Sequence, residues 1–258
     1  MTEFLYQIPA SLISAVLFIL IILFNRAGFF VQQQEAKKNK EKQPGLGPIE
    51  GSLLGLLALL LSFTFSLSAA KNDSRRAVIV EEANDISTAI SRCDLYPDSI
   101  RKELHLLFNS YIDARIAYYD AGIDSAKIST SLKQANEYYA GIWKKVIILS
   151  QDKDNTLRSQ QMVPALNTIS DILTTRDAQR NAHVPESILW MLFVLTLVGS
   201  FVMGYGTVSR YNWIIVSGFA LMTVMTIYLI LDLDRPRRGI INMDLTEQKI
   251  VELKDMVK

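Results

Sequence analysis

Four stretches without a charged side chain limit the folds that this sequence can adopt. They cover residues 4–25, 51–70, 187–209 and 211–231, and they are 22, 20, 23 and 21 residues long. About 20 apolar residues in helical form cross the hydrocarbon core of a bilayer, and a charge at its centre costs roughly 2.5–3.5 kcal/mol. Core helices of water-soluble proteins are usually shorter than this. The sequence therefore predicts four transmembrane helices.

The composition disfavours several other classes of protein. The net charge is +1, which gives no general attraction for nucleic acid. One cysteine, Cys93, permits no internal disulfide, and the two histidines, His105 and His183, leave few metal ligands. Phosphate loops, nucleophile elbows and HExxH motifs are absent from the sequence. We expect no catalytic residues, no metal and no cofactor, so an enzyme is the least favoured interpretation.

The second apolar stretch leads into a helix much longer than a membrane span. Pro48 suits the first turn of a helix, and residues 71–95 contain neither glycine nor proline. We predict one helix from about residue 48 to 94, of which residues 48–70 cross the membrane. The first membrane helix is expected over about residues 8–30, followed by a basic linker over residues 32–47.

Residues 71–185 form a water-exposed region with 15 basic and 15 acidic residues. Apolar side chains recur there at helical spacing, and no alternation typical of strands occurs. Pro97 suits a helix start, Gly122 a helix stop, and Asp124 a cap for the next helix. This pattern predicts a helical bundle.

The predicted fold is therefore an all-α membrane protein with four transmembrane helices and a helical extramembrane bundle inserted between helices 2 and 3. The first transmembrane pair would occupy residues 1–70 and the helical domain residues 71–185. The second pair, joined by a short turn around residues 209–212, would occupy residues 186–232, and residues 233–258 would form a C-terminal tail.

Small and hydroxyl-bearing residues share one face of the second membrane helix. One interpretation is a pore-lining surface with an apolar gate, and the other is close packing between helices. Glu50 at the start of this helix either balances the helix dipole or forms a cation-selective ring in an oligomer. The candidate pore residues are Glu50, Gly51, Gly55, Ser62, Phe63, Phe65 and Ser66.

Arginines gather near the ends of the membrane helices. They either anchor the protein to anionic lipid headgroups or form a vestibule or site for an anionic or phosphorylated ligand. Neighbouring acids, among them Glu82 and Asp234, also permit structural ion pairs. His183 is interpreted first as a packing residue and second as a proton switch. The candidate anion- or lipid-binding residues are Arg75, Arg76, Arg176, Arg180, Arg235, Arg237 and Arg238.

Three segments resemble the bacterial bestrophin-like domain family. They are LGPIEGSLLGLLALLLSFTFSLSAA running into DSRRAVIVEEAN, then TTRDAQRNAHVPESILW, then LDLDRPRRG. The resemblance implies kinship with bestrophins, which are oligomeric anion channels with four membrane helices, a cytoplasmic helical domain and a pore lined by the second helix. The acidic calcium-binding cluster of the animal channels has no counterpart in this sequence, so calcium gating is not implied.

Two functional hypotheses remain open. The first is a homo-oligomeric ion channel, gated through the helical domain, with a role in stress or phage defence as one use of it. The second is a non-conducting sensor or scaffold whose helical domain binds a partner or a small anionic or nucleotide ligand. Membrane lipids and ions are the other expected partners. The bias of basic residues between the two sides favours an inner-membrane protein with a cytoplasmic helical domain and C-terminus.

Overall fold

The computed structural model describes residues 4–38, 47–207, 210–235 and 244–257, and these residues form helices and connecting turns without a strand. Four helical segments, which contain α2, α3, α7 and α8, are long and apolar enough to cross a membrane. The predicted all-α membrane fold is thereby confirmed. The helices are α1 (Phe4–Gln7), α2 (Ala10–Lys38), α3 (Gly47–Cys93), α4 (Asp98–Asp120), α5 (Ser125–Ser150), α6 (Thr156–Asn181), α7 (Glu186–Tyr205), α8 (Trp213–Asp234) and α9 (Asp244–Glu252), followed by a 3-10 turn at Leu253–Met256.

Local sequence signals explain several helix ends. The Asp124 carboxylate accepts hydrogen bonds from the backbone N–H groups of Ala126 and Lys127 and thereby caps α5, as predicted. Gly122 has a φ of +53°, a left-handed conformation that suits glycine, just after α4 ends. α3 runs as one helix close to the predicted range.

The end of the first membrane helix differs from the prediction. The helix was expected to stop near residue 30 and give way to a linker, whereas α2 continues to Lys38. Residues 31–38 are mostly Gln, Glu, Ala and Lys, which favour helix, and they include no glycine or proline to stop it. The rest of the predicted linker up to residue 46 and Ser209 in the predicted turn lie outside the described residues.

The chain divides into two compact units. The membrane unit consists of Met1–Asn72 and His183–Arg235, and the helical unit consists of Asp73–Ala182 and Pro236–Lys258. Each unit has its own cluster of buried apolar side chains. The four regions predicted from the sequence stay a prediction.

In the membrane unit, α2 and α7 approach closely at two glycines. A Cβ atom at Gly28 would lie 2.1 Å from the Phe201 carbonyl oxygen, and one at Gly204 would lie 1.9 Å from the Asn25 carbonyl oxygen. The same helices exchange hydrogen bonds, because Asn25 Nδ2 donates to the Ser200 carbonyl at 2.9 Å and Ser200 Oγ donates to the Ile21 carbonyl at 2.7 Å. Small residues and interhelical hydrogen bonds therefore hold this pair together.

The helical unit is built around a conventional apolar core. α4 packs against α5, α5 packs against α6, and the C-terminal helix α9 packs against α4. Ile250 and Leu253 of the C-terminal segment are buried in this core. The largest fully buried apolar side chains of the unit are Ile86, Ile90, Leu104, Phe108, Tyr111, Ile112, Ile142, Met162, Leu166 and Ile169.

Candidate functional site

The membrane part of α3 has two opposite faces. Leu57, Thr64 and Ser68 are buried against the rest of the unit. Gly55, Ser62 and Ser66 each lie two positions before one of these buried residues. Two positions correspond to a rotation of about 200° around a helix, so the two sets point to opposite sides. These three residues are exposed, so they lie on the side of α3 that faces away from its own chain.

The exposed side of the membrane part of α3 is the candidate pore face. A Cβ added to Gly51 or Gly55 would lie more than 4 Å from every neighbouring atom that the structure describes, so none of the helices given above packs closely against them. Phe63 and Phe65 are 64% and 40% exposed and flank this face on its two sides, since they are two positions apart. The face consists of Gly51, Gly55, Ser62 and Ser66, with Phe63 and Phe65 at its edges.

Glu50 lies in the first turn of α3 and is half-buried. A Cβ on Gly206 would lie 2.8 Å from Glu50 Oε2, so this carboxylate sits beside the residue that follows α7. A carboxylate in the first turn of a helix is stabilised by the helix dipole. Both interpretations of Glu50, dipole partner and selectivity ring, remain predictions.

Three of the predicted anion- or lipid-binding arginines are buried and bind groups of the protein itself. Arg75 donates from Nη2 to the Ala182 carbonyl at 2.7 Å and from Nε to the Gln179 carbonyl at 3.2 Å, at the end of α6. Arg235 donates to the Leu5 carbonyl at 2.8 Å, and Arg176 binds Glu82. Arg76 and Arg180 are half-buried, and Arg237 and Arg238 lie outside the described residues. Lipid binding by these arginines stays a prediction.

His183 belongs to a polar cluster in the membrane unit. Its Nδ1 atom lies 3.1 Å from the Asp234 carbonyl oxygen, and its ring packs on Tyr6 with 4.4 Å between ring centres. Asp234 accepts hydrogen bonds from the Tyr6 hydroxyl and, at 2.9 Å, from the Val184 N–H. Lys71 Nζ donates to the His183 carbonyl at 2.9 Å. These contacts fasten the segment before α7 to the end of α8.

A second charged cluster lies inside the helical unit, and the sequence had indicated only that Glu82 could form an ion pair. Glu82 of α3 is fully buried and accepts hydrogen bonds from Arg115 Nε at 2.6 Å, from the Tyr119 hydroxyl at 2.9 Å and from Arg176 Nη1 at 3.1 Å. The Arg115 and Arg176 guanidinium carbons lie 4.9 Å and 4.5 Å from the Tyr118 ring centre. We call these five residues, Glu82, Arg115, Tyr118, Tyr119 and Arg176, the arginine–glutamate cluster.

Electrostatics in this cluster keep Arg115 and Tyr119 in their ordinary charge states. Burial raises the pKa of the Tyr119 hydroxyl well above its usual value, and the neighbouring Glu82 raises it further. Burial alone would lower the pKa of Arg115, but Glu82 outweighs this effect and raises it. Arg115 is therefore cationic and Tyr119 is a neutral donor.

One sequence signal could have pointed to this cluster. Leu104, Phe108, Tyr111 and Arg115 follow one another at intervals of three or four residues, so a charged side chain continues the buried stripe of α4. A buried arginine requires a partner. Among the described residues, no group of three or more His, Cys, Asp or Glu side chains could hold a metal ion.

Comparison with known proteins identifies the family. The Bestrophin-like domain family matches residues 15–245, so this chain belongs to the Bestrophin-like family, as the resemblance of the three sequence segments predicted. No curated protein matches the chain.

Solved structures of bacterial bestrophin homologues share the fold. A crystal structure of a homologue from Klebsiella pneumoniae has a TM-score of 0.72 and 11% sequence identity, and the alignment covers 93% of this chain and 98% of that one. A point mutant of a Klebsiella pneumoniae homologue has a TM-score of 0.73 and 12% identity over 95% of this chain and 97% of that one. At such low identity, the likeness shows the fold alone.

Proposed function

We propose that this protein is a homo-oligomeric membrane ion channel whose pore is lined by the candidate pore face of α3. The exposure of Gly55, Ser62 and Ser66, opposite the residues through which α3 packs on its own chain, carries this proposal. Several copies that turn this face toward a common axis would surround a path lined by small and hydroxyl-bearing residues. Membership of the Bestrophin-like family supports anions as the first ions to test.

The hydroxyl groups of this face argue for contact with water or with another copy of the chain. Lipid offers no hydrogen-bond partner for a serine side chain, whereas water, ions and neighbouring helices do. Small residues also permit close approach of helices from neighbouring copies. The two roles differ in their consequence, because only a pore requires the face to be wet.

The apolar gate of the proposed channel would be formed by the aromatic residues at the edges of the face. Phe63 is the more exposed of the two, at 64% against 40% for Phe65. A ring of such side chains narrows a pore and closes it by excluding water. Replacing Phe63 by alanine should therefore raise ion flux, whereas closing mutations should lower it.

The proposal places the helical domain and the C-terminus in the cytoplasm and the channel in the inner membrane, as the charge bias predicts. Gating through the helical domain is supported by α3, which contains both the candidate pore face and Glu82 in one helix. A ring of Glu50 carboxylates at the start of α3 would favour cations over anions. Arg76 and Arg180 would make the lipid or anion contacts.

Two matched glycine substitutions test the pore. Leucine at Gly55 would fill the candidate pore face, whereas leucine at Gly218 adds the same side chain to an exposed position of α8. A Cβ at either position meets no described neighbour within 4 Å, so both positions have room for the start of a side chain. In liposomes, chloride and potassium flux should fall at least tenfold in Gly55→Leu and stay near the parent value in Gly218→Leu.

The oligomeric state of the same variants separates the alternatives. If Gly55→Leu stops flux but leaves the oligomer intact, the face lines a pore. If it dissociates the oligomer, the face is a packing surface between copies. A purified parent protein that is monomeric in mild detergent would contradict the channel, since four helices of one chain leave no room for a pore.

The second hypothesis, a non-conducting sensor or scaffold, is supported by the charged interior of the helical unit. It predicts a stable oligomer without flux, even in Phe63→Ala. A role in stress or phage defence would be one use of the channel. Toxicity on overexpression would support this role if Gly55→Leu abolishes the toxicity and Gly218→Leu does not.

A further inference from the structure

The arginine–glutamate cluster carries an excess of buried positive charge. Its two arginines are 1% and 7% exposed, and both bind the single carboxylate of Glu82, which is fully buried. Asp177 lies 3.8 Å from Arg176 Nη2, but its side chain is 52% exposed and is screened by water. The buried members therefore add up to one uncompensated positive charge, which is costly in a protein interior.

Tyr119 does not supply the missing negative charge. Burial and the neighbouring Glu82 raise the pKa of Tyr119, so this hydroxyl keeps its proton. It donates a hydrogen bond to the Glu82 carboxylate. Tyr118 offers its ring to both guanidinium groups. A cation over an aromatic ring is stabilised by the ring, but this offsets only part of the desolvation of a buried charge.

Each arginine also has an unused hydrogen-bond donor. Arg115 Nη2 and Arg176 Nε are buried and have no hydrogen-bond partner among the described residues. Leaving such donors unsatisfied is costly, and more so for charged groups. The two guanidinium groups bind the same carboxylate and border the same ring.

We propose that Arg115 and Arg176 hold one small monovalent anion, of the size of chloride, inside the helical unit. The anion would accept hydrogen bonds from Arg115 Nη2 and Arg176 Nε and would neutralise the charge that Glu82 leaves uncompensated. This site is separate from the candidate pore face. It does not depend on whether the chain conducts ions.

The first test measures thermal unfolding of the full-length protein in detergent while chloride replaces gluconate at constant ionic strength. A ligand that binds only the folded state stabilises it by mass action. The unfolding temperature of the parent protein should rise by about 3–6 °C for each tenfold increase in chloride above its Kd. Sulfate and phosphate serve as comparison anions. Stabilisation by these oxoanions but not by chloride would overturn a chloride-sized site.

Two variants should change the response to chloride in opposite directions, one by abolishing it and the other by strengthening it. Arg115→Met leaves the charges of Glu82 and Arg176 balanced, so its unfolding temperature should no longer depend on chloride. Glu82→Gln leaves both arginines uncompensated, so it should be stabilised at lower chloride concentrations than the parent protein. A purely structural ion-pair cluster would be weakened by both changes and would show the same response to chloride in all three proteins.

Bromide gives a direct readout that does not depend on how the variants fold. Crystals of the parent protein grown in bromide should show an anomalous scattering peak within hydrogen-bond distance of Arg115 Nη2 and Arg176 Nε. An ordered water at that place, without an anomalous signal, would overturn the proposal.

Discussion

The membrane unit and the helical unit differ in the contacts that hold their helices together. In the membrane unit, α2 and α7 meet through Gly28 and Gly204, whose positions leave no room for a side chain, and through hydrogen bonds of Asn25 and Ser200. The helical unit buries large apolar side chains and, among them, a charged cluster around Glu82.

The difference follows from the two solvents. Apolar side chains gain little by leaving lipid, so close contact and hydrogen bonds associate helices there. In water, burial of apolar area supplies about 25 cal/mol per Å², which is enough to bury some charge as well. Substitutions that remove space should therefore be most harmful in the membrane unit, and substitutions that remove charge partners should be most harmful in the helical unit.

The largest effect is expected where α2 and α7 touch. Leucine at Gly204 would force the two helices apart, because even a Cβ would lie 1.9 Å from the Asn25 carbonyl oxygen. Gly204→Leu should give no monodisperse protein on size-exclusion chromatography, whereas Gly218→Leu should elute like the parent. Normal behaviour of Gly204→Leu would show that space at this contact does not limit the membrane unit.

The next largest effect is expected at Glu82. Its removal leaves two buried arginines without their carboxylate, and breaking a buried ion pair on one side costs about 3–5 kcal/mol. Glu81 is the neighbouring residue and is exposed, so Glu81→Ala should change the free energy of unfolding by less than about 0.5 kcal/mol. Denaturant titration of Glu82→Ala and Glu81→Ala compares the two. Equal stability would contradict the importance of the buried charges.

Single interhelical hydrogen bonds should matter less in either unit. Tyr139 donates to the Leu166 carbonyl at 2.7 Å in the helical unit, as Ser200 does to the Ile21 carbonyl in the membrane unit. Tyr139→Phe should cost about 1 kcal/mol, and Ser200→Ala about 0.6 kcal/mol. Denaturant titration measures both. A much larger loss for Ser200→Ala would show that hydrogen bonds, rather than close packing, dominate the membrane unit.

The smallest effect concerns the reactivity of Cys93 near neutral pH. Its side chain is fully buried, and burial, with a smaller contribution from Asp94, raises the pKa of the thiol to about 12. The folded protein should react with maleimide at pH 7.5 at least about a hundredfold more slowly than the unfolded chain.

The same pKa shift gives a direction for stability against pH. Because the pKa is higher in the folded chain, the neutral thiol contributes its full stability below about pH 9. Above about pH 9 the thiol ionises in the unfolded chain but stays neutral in the folded one. The contribution is therefore lost as the pH rises toward 12. Rapid reaction of Cys93 with maleimide in the folded protein would contradict the burial of its thiol.

The membrane helices and the ends of several helices could be predicted because they depend on neighbouring residues. A charge-free stretch of about 20 residues has few stable alternatives to a membrane helix. The cap formed by Asp124 involves the next three positions only. The extension of α2 to Lys38 was missed because polar helix formers are equally common in linkers and in solvated helices.

The contacts inside each unit could not be predicted because they join distant parts of the sequence. Glu82 is 33 residues from Arg115 and 94 from Arg176. The spacing from Ile79 and to Ile86 places Glu82 on the apolar stripe of α3, but it does not indicate which arginines pair with it. The small residues of α3 were visible in the sequence, but only the structure tells which face of the helix its own chain covers.

Chemical modification at Ser62 tests the pore most directly. Because Cys93 is buried, a cysteine introduced at Ser62 can be labelled selectively with a charged, membrane-impermeant thiosulfonate, and Met222→Cys on the exposed surface of α8 is the control. A pore lined by α3 predicts that Ser62→Cys is modified in liposomes and that its ion flux is blocked, while Met222→Cys, in lipid, remains unmodified and conducts. If neither cysteine reacts in the conducting protein, the candidate pore face does not line the ion path.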